Sequence, residues 1–165
     1  MKNFADALEA MKIDDGEKTS VKLNFFGKTW DVKVDYHKGI SIPEANKQID
    51  LLVKNGAKLS REIESEFCKY CEDTMATYTD DDECYPIKKY SDIKNESCYS
   101  WAALSVKGIS AVDMYDRKNK CKSGKIGLIV FGDFPYDPEH GWSFGFCDGR
   151  WNGIMRDFID YIDVF

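Results

Sequence analysis

Ser41-Ile42-Pro43-Glu44-Ala45-Asn46-Lys47-Gln48-Ile49-Asp50-Leu51-Leu52-Val53-Lys54-Asn55-Gly56-Ala57-Lys58-Leu59-Ser60 sets the number of helices in this chain, and with it the architecture. Ser41 to Glu44 has the form of a capping box, in which the serine accepts from the Glu44 amide and the glutamate reaches back. Behind it Ala45, Ile49, Leu52 and Val53 recur on one helical face. Asn55-Gly56 has the composition of a helix stop, because glycine takes the left-handed conformation that ends a last turn. Ser60 then starts a second, longer helix with the stripe Ile63, Phe67, Tyr70, Cys71, Thr74 and Tyr78. The spacing predicts helices over 42–55 and 60–78, and the short link between them predicts an antiparallel pair.

Upstream, Val21, Leu23 and Phe25 alternate with polar residues, as do Trp30, Val32, Val34 and Tyr36. Gly27-Lys28 suits a two-residue type II′ turn, glycine taking positive φ at its first position. That register would pair Phe25 with Trp30, Leu23 with Val32 and Val21 with Val34, all on one face. A short helix is expected over Phe4 to Met11. Downstream, Ser105 to Tyr115 and Ile126 to Phe131 are strand-like, the latter apolar enough to be covered on both faces. Lys118, Lys120, Lys122 and Lys125 surround Asn119 and Gly124 in what has the composition of a solvated hairpin tip. Trp142, Phe144 and Phe146 alternate, Asp148-Gly149 marks a turn, and the segment from Trp151 ends in a helix-like Phe158, Tyr161, Ile162 and Phe165. The expected fold class is α+β: a twisted, mostly antiparallel sheet with an antiparallel helix pair packed on it. Residues 1–165 form a single domain, with 79–97 an exposed insertion or connection that includes a short helix near Ile87 to Ile93.

With 165 residues, 43% hydrophobic and 14% aromatic, the chain can bury a core without a metal or disulfide staple. A net charge of -6 disfavours a general nucleic-acid or anionic-membrane binder and suits a basic protein partner. The first residues carry no apolar signal stretch, and no run approaches the ~20 apolar residues that cross a bilayer. Cytoplasmic residence is therefore expected, and with it six free thiols.

Chemistry-bearing residues concentrate in Asp133-Phe134-Pro135-Tyr136-Asp137-Pro138-Glu139-His140-Gly141-Trp142, between two strand-like runs. Prolines stiffen the path, and function gathers on loops held by a rigid scaffold. His140 could act as a general base oriented by Glu139 or Asp137, yet no nucleophile partner stands near it. The bland alternative has Asp137 capping a turn and His140 bonded to a loop carbonyl. Asp133, Asp137 and Glu139 lack the alternate-acid spacing of a calcium loop. Asp80-Asp81-Asp82-Glu83 has the character of a solvated charge run. Cys68-Lys69-Tyr70-Cys71 lies inside a helix, whereas a redox pair opens one, and Cys84, Cys98, Cys121 and Cys147 supply no second pair for zinc. Gly145-Phe146-Cys147-Asp148-Gly149 has the outline of a nucleophile elbow, but strand-like sequence follows where a helix is required. No cofactor or metal is expected.

Pro43-Glu44-Ala45-Asn46-Lys47-Gln48-Ile49, Asn55-Gly56 and Tyr136-Asp137-Pro138-Glu139-His140-Gly141 resemble features of small, mostly bacterial domains of unknown function. Those domains have an early hairpin, two helices and a late Trp/Tyr-Asp-x-Glu-His-Gly loop. The resemblance spans most of the chain except residues 79–108, and Tyr136 stands where tryptophan is more usual. It implies an α+β protein, sometimes encoded near toxin systems and suspected of being an immunity protein, with no catalytic residues to carry over.

The expected function is a non-catalytic cytosolic binding module that neutralises a basic toxin through an acidic surface. Asp80, Asp81, Asp82, Glu83, Tyr136, Asp137, Glu139, His140 and Trp142 are its candidate contacts, with Tyr136 and Trp142 as aromatic anchors. The competing readings are a small metal-assisted or His-dependent hydrolase using the same loop, and a purely architectural loop.

Overall fold

The computed structural model describes residues 20–75, 105–116, 118–119, 121–133 and 141–155. Strands β1 (Ser20–Phe25) and β2 (Lys28–Tyr36) precede helix α1 (Ile42–Met75), and β3 (Ser105–Asp116), β4 (Cys121–Asp133), β5 (Trp142–Cys147) and β6 (Arg150–Met155) follow. They form one six-stranded sheet in sequence order. β2 and β3 run parallel through Lys33 to Tyr36 and Gly108 to Ala111, while every other neighbouring pair is antiparallel. The expected helix segments at 4–11, 87–93 and the carboxyl terminus, and the connection at 79–97, lie outside the described residues.

The helix pair is corrected to a single helix among the described residues, on a mixed sheet. α1 runs unbroken through Asn55-Gly56 for 34 residues, roughly 51 Å. Gly56 is a packing residue and not a stop: a β-carbon there would run into the backbone carbonyl oxygen of Asn24 on β1. Ser60 is likewise no cap. Its hydroxyl donates to the Gly56 carbonyl (2.7 Å) and accepts the backbone N–H of Phe26 (2.7 Å), tying the helix to the first hairpin turn. The buried stripe Ala45, Ile49, Leu52, Leu59, Ile63 and Phe67 keeps one phase throughout, with Gly56 in line. At about 4.8 Å per strand spacing the sheet is roughly 24 Å wide, so the helix is longer than the sheet it crosses.

The first hairpin is shifted two residues from the expected register. Its turn is Phe26-Gly27, with φ of 52° and 72°, and it pairs Phe25 with Lys28, Leu23 with Trp30 and Val21 with Val32. Both positive φ values define a type I′ turn, which matches strand twist better than its mirror image. A slip of two leaves each side chain on its face, so Leu23, Phe25, Val32 and Val34 are still buried. Left-handed backbone costs a non-glycine residue about 1–2 kcal/mol. Phe26 offsets this with its ring stacked on Phe67 (5.3 Å) and edge-on to Phe25 (4.3 Å).

The core lies between α1 and the sheet, where Phe25, Phe67, Phe144 and Phe146 meet Ile109, Leu128 and Val130. Among the described residues the opposite sheet face is buried at Ser110, Val112, Met114, Ile129 and Ser143. On β1 and β2 the same face is exposed and polar. The β3–β4 tip is closed by Asp116, whose carboxylate accepts from the Lys118 and Asn119 amides and the Asn119 side chain; the Asn119 bonds hold its pKa below the usual value. No helix among the described residues is long and apolar enough to cross a membrane.

Candidate partner-binding loop and its anchors

β4 delivers the chain to Asp133 and β5 takes it back at Trp142, so the 133–142 connection begins and ends on neighbouring strands, with Gly132 paired to Trp142. The Trp142 indole N–H donates to the Asp133 carbonyl at 2.9 Å, bridging the two ends. Its ring is 1% exposed and packs on Phe144 (4.5 Å between centroids) and Phe67 (6.4 Å). From α1 the Tyr70 hydroxyl reaches the Gly141 carbonyl at 3.5 Å. Two glycines permit this closeness. A β-carbon at Gly132 would collide with the Ser105 carbonyl oxygen, and one at Gly141, where φ is 65°, would press on the Gly132 carbonyl. Lys107 adds an exposed ion pair to Asp133 (2.8 Å), a contact of the kind that contributes at most about 1 kcal/mol.

The base of the connection is therefore fixed by packing, hydrogen bonds and close backbone approach. Of the nine candidate contacts, Asp80, Asp81, Asp82, Glu83, Tyr136, Asp137, Glu139 and His140 lie outside the described residues. Trp142 is placed, and it is buried; it holds the base and offers no face to a partner. No local pattern marks Gly132, Tyr70 or Lys107 as anchors. Tyr70 is visible in the helical stripe, but nothing in composition aims it at Gly141. The solvent side of α1 carries Glu44, Asp50, Glu62, Glu64, Glu66 and Asp73 against Lys47, Lys54, Lys58, Arg61 and Lys69, so neither sign dominates that surface.

Among the described residues no three His, Cys, Asp or Glu side chains gather to hold a metal ion. The expectation of six free thiols is corrected at Cys68, which is disulfide-bonded, while Cys121 and Cys147 are free. Cys147 closes β5 ahead of the Asp148-Gly149 turn (φ 50° and 68°), so the elbow-like sequence is a hairpin turn. Burial, with the neighbouring Asp148 charge, pushes its thiol up to about 11, the opposite of an activated nucleophile.

No family model, curated protein or solved structure matches the chain.

Proposed function

We propose that the chain is a non-catalytic protein-binding module, an immunity protein that masks a basic toxin, with the 133–142 connection as its principal contact. The observation that carries this reading is the fixed base: Trp142 to Asp133, Tyr70 to Gly141 and the Gly132–Gly141 approach hold both ends of the connection. A loop held at both ends loses less conformational freedom on binding, which strengthens association without new contacts. The net charge of -6, with Asp80 to Glu83 contributing four acids in a row, would steer a basic partner. The resemblance of Tyr136 to Gly141 to the bacterial loop motif points the same way.

This reading includes residence in the cytoplasm. The Cys68 disulfide argues against that part, since such bonds persist in oxidising compartments. Peptide mass mapping of protein taken directly from its native cell decides between them: Cys68 recovered in a disulfide between two peptides of the chain refutes cytoplasmic residence. The binding function is tested by affinity capture, comparing the natural chain with an Asp137→Ala/His140→Ala variant of equal thermal stability. A single basic protein in near-equal amount, lost with the variant, is expected. Capture of the same proteins by both chains overturns the assignment to this loop.

A further inference from the structure

At the other end of β5, roughly 17 Å along the strand from Trp142, lies a cleft of about 410 Å³ beside the β5–β6 turn. Small-molecule sites are typically of about this size. Met114 and Trp151 give the cleft an apolar part, and Lys125, Arg150 and Asn152 a polar one. Neither Lys125 nor Arg150 forms an ion pair with any described residue. Asp148, the acid in the lining, is already engaged: Gln48 donates to its carboxylate (2.9 Å) and accepts its backbone N–H (2.8 Å). The Cys147 wall is a neutral thiol that donates weakly to the Ile126 carbonyl (3.8 Å). On the β3–β4 hairpin beside it, Asp113 and Asp116 are also engaged, their carboxylates accepting the backbone N–H groups of Gly124 and of Lys118 and Asn119.

We propose that this cleft binds a small organic anion, a carboxylate or phosphate head between Lys125 and Arg150 with an apolar body against Met114 and Trp151. A guanidinium can grip either head through two parallel hydrogen bonds, and the Lys125 ammonium supplies a second charge. The site is separate from the 133–142 connection, so it goes beyond the partner-binding reading and fails or stands independently of it.

The test is titration of the full chain with phenylacetate and with phenyl phosphate, following the backbone amide resonances of Lys125, Cys147, Arg150 and Asn152. Acetate and inorganic phosphate serve as heads without a body, and benzyl alcohol as a body without a charge. Saturable shifts are expected with the aromatic anions, at least about tenfold tighter than with any of the three controls, and the better of the two identifies the head. A Lys125→Gln/Arg150→Gln variant with an unchanged thermal midpoint should weaken binding by a further factor of about ten or more. Absence of saturable shifts at millimolar concentration, benzyl alcohol binding as tightly as phenylacetate, or equal affinity in the variant overturns the proposal.

Discussion

Replacing Gly56 with alanine separates a packing glycine from a helix stop by the sign of the effect. In an exposed helix interior, Gly→Ala stabilises by about 1 kcal/mol. Here the new methyl would lie against the Asn24 carbonyl oxygen, 3.3 Å from the Asn24 carbonyl carbon and 3.5 Å from a Leu23 methyl. The obstacle is strand backbone held by the β1–β2 ladder, so it cannot rotate aside as a side chain would. Overpacking of this kind costs about 1–3 kcal/mol, and a rigid obstacle puts it at the upper end. The net expectation is a loss of about 2 kcal/mol. For a chain of 165 residues that lowers the thermal midpoint by about 4–8 °C. The assay is urea or thermal unfolding followed by circular dichroism, with exposed Ala57→Gly as the control for propensity alone, expected to lose about 1 kcal/mol. A raised midpoint for Gly56→Ala would refute the close approach of α1 to β1.

Phe67→Ala, at a ring fully buried among Phe26, Trp142 and Phe144, should cost about 3–5 kcal/mol in urea unfolding; a loss under about 1 kcal/mol would remove the helix from the core. Ser60→Ala strips the Phe26 amide of its acceptor and should cost about 1–3 kcal/mol, with faster exchange of that amide measured by NMR. Iodoacetamide near pH 8 should label exposed Cys121 well before Cys147, as followed by peptide mass spectrometry. Because the Cys147 pKa is raised on folding, the unfolded chain ionises first. Stability is therefore unaffected by this group below the ordinary thiol value of 9.0 and falls as pH rises towards about 11; Cys147→Ser should flatten that fall in pH-dependent unfolding.

The strands were legible because alternation and turn residues reported them directly: Trp142, Phe144 and Phe146 face the core, and Asp148-Gly149 turns as its composition suggests. The helix departs from its local signals at one dipeptide. Asn55-Gly56 has the local chemistry of a terminus, but the stripe from Leu52 through position 56 to Leu59 and Ile63 never changes phase, and that continuity was the signal for one helix. Local propensity yielded to the need for a residue without a side chain where α1 meets β1. The hairpin register failed for a related reason. Gly27 fits either of two turns, and the choice rests on Phe26 docking against Phe67 and Ser60, partners more than thirty residues away. The parallel β2–β3 pairing has no local signature at all. At the candidate loop the residue types were visible, whereas its anchoring through Tyr70 and Gly132 depends on contacts between distant elements.

That parallel pairing also bears on how the chain assembles. Lys33 meets Gly108 across about 75 positions of sequence, whereas β3 to β6 are joined in order as antiparallel neighbours. Closing the long loop costs roughly 2–3 kcal/mol more than closing a tight turn, and only four residue pairs form along it. The β3–β6 meander can therefore organise first, with the β1–β2 hairpin joining it last. α1 touches both sides of this seam, at β1 and at β4 and β6, so the helix acts as the clamp of the late step. Loosening that clamp would let the molecule open between β2 and β3 while the meander stays folded, the 133–142 base keeping its Trp142–Asp133 bond and losing Tyr70.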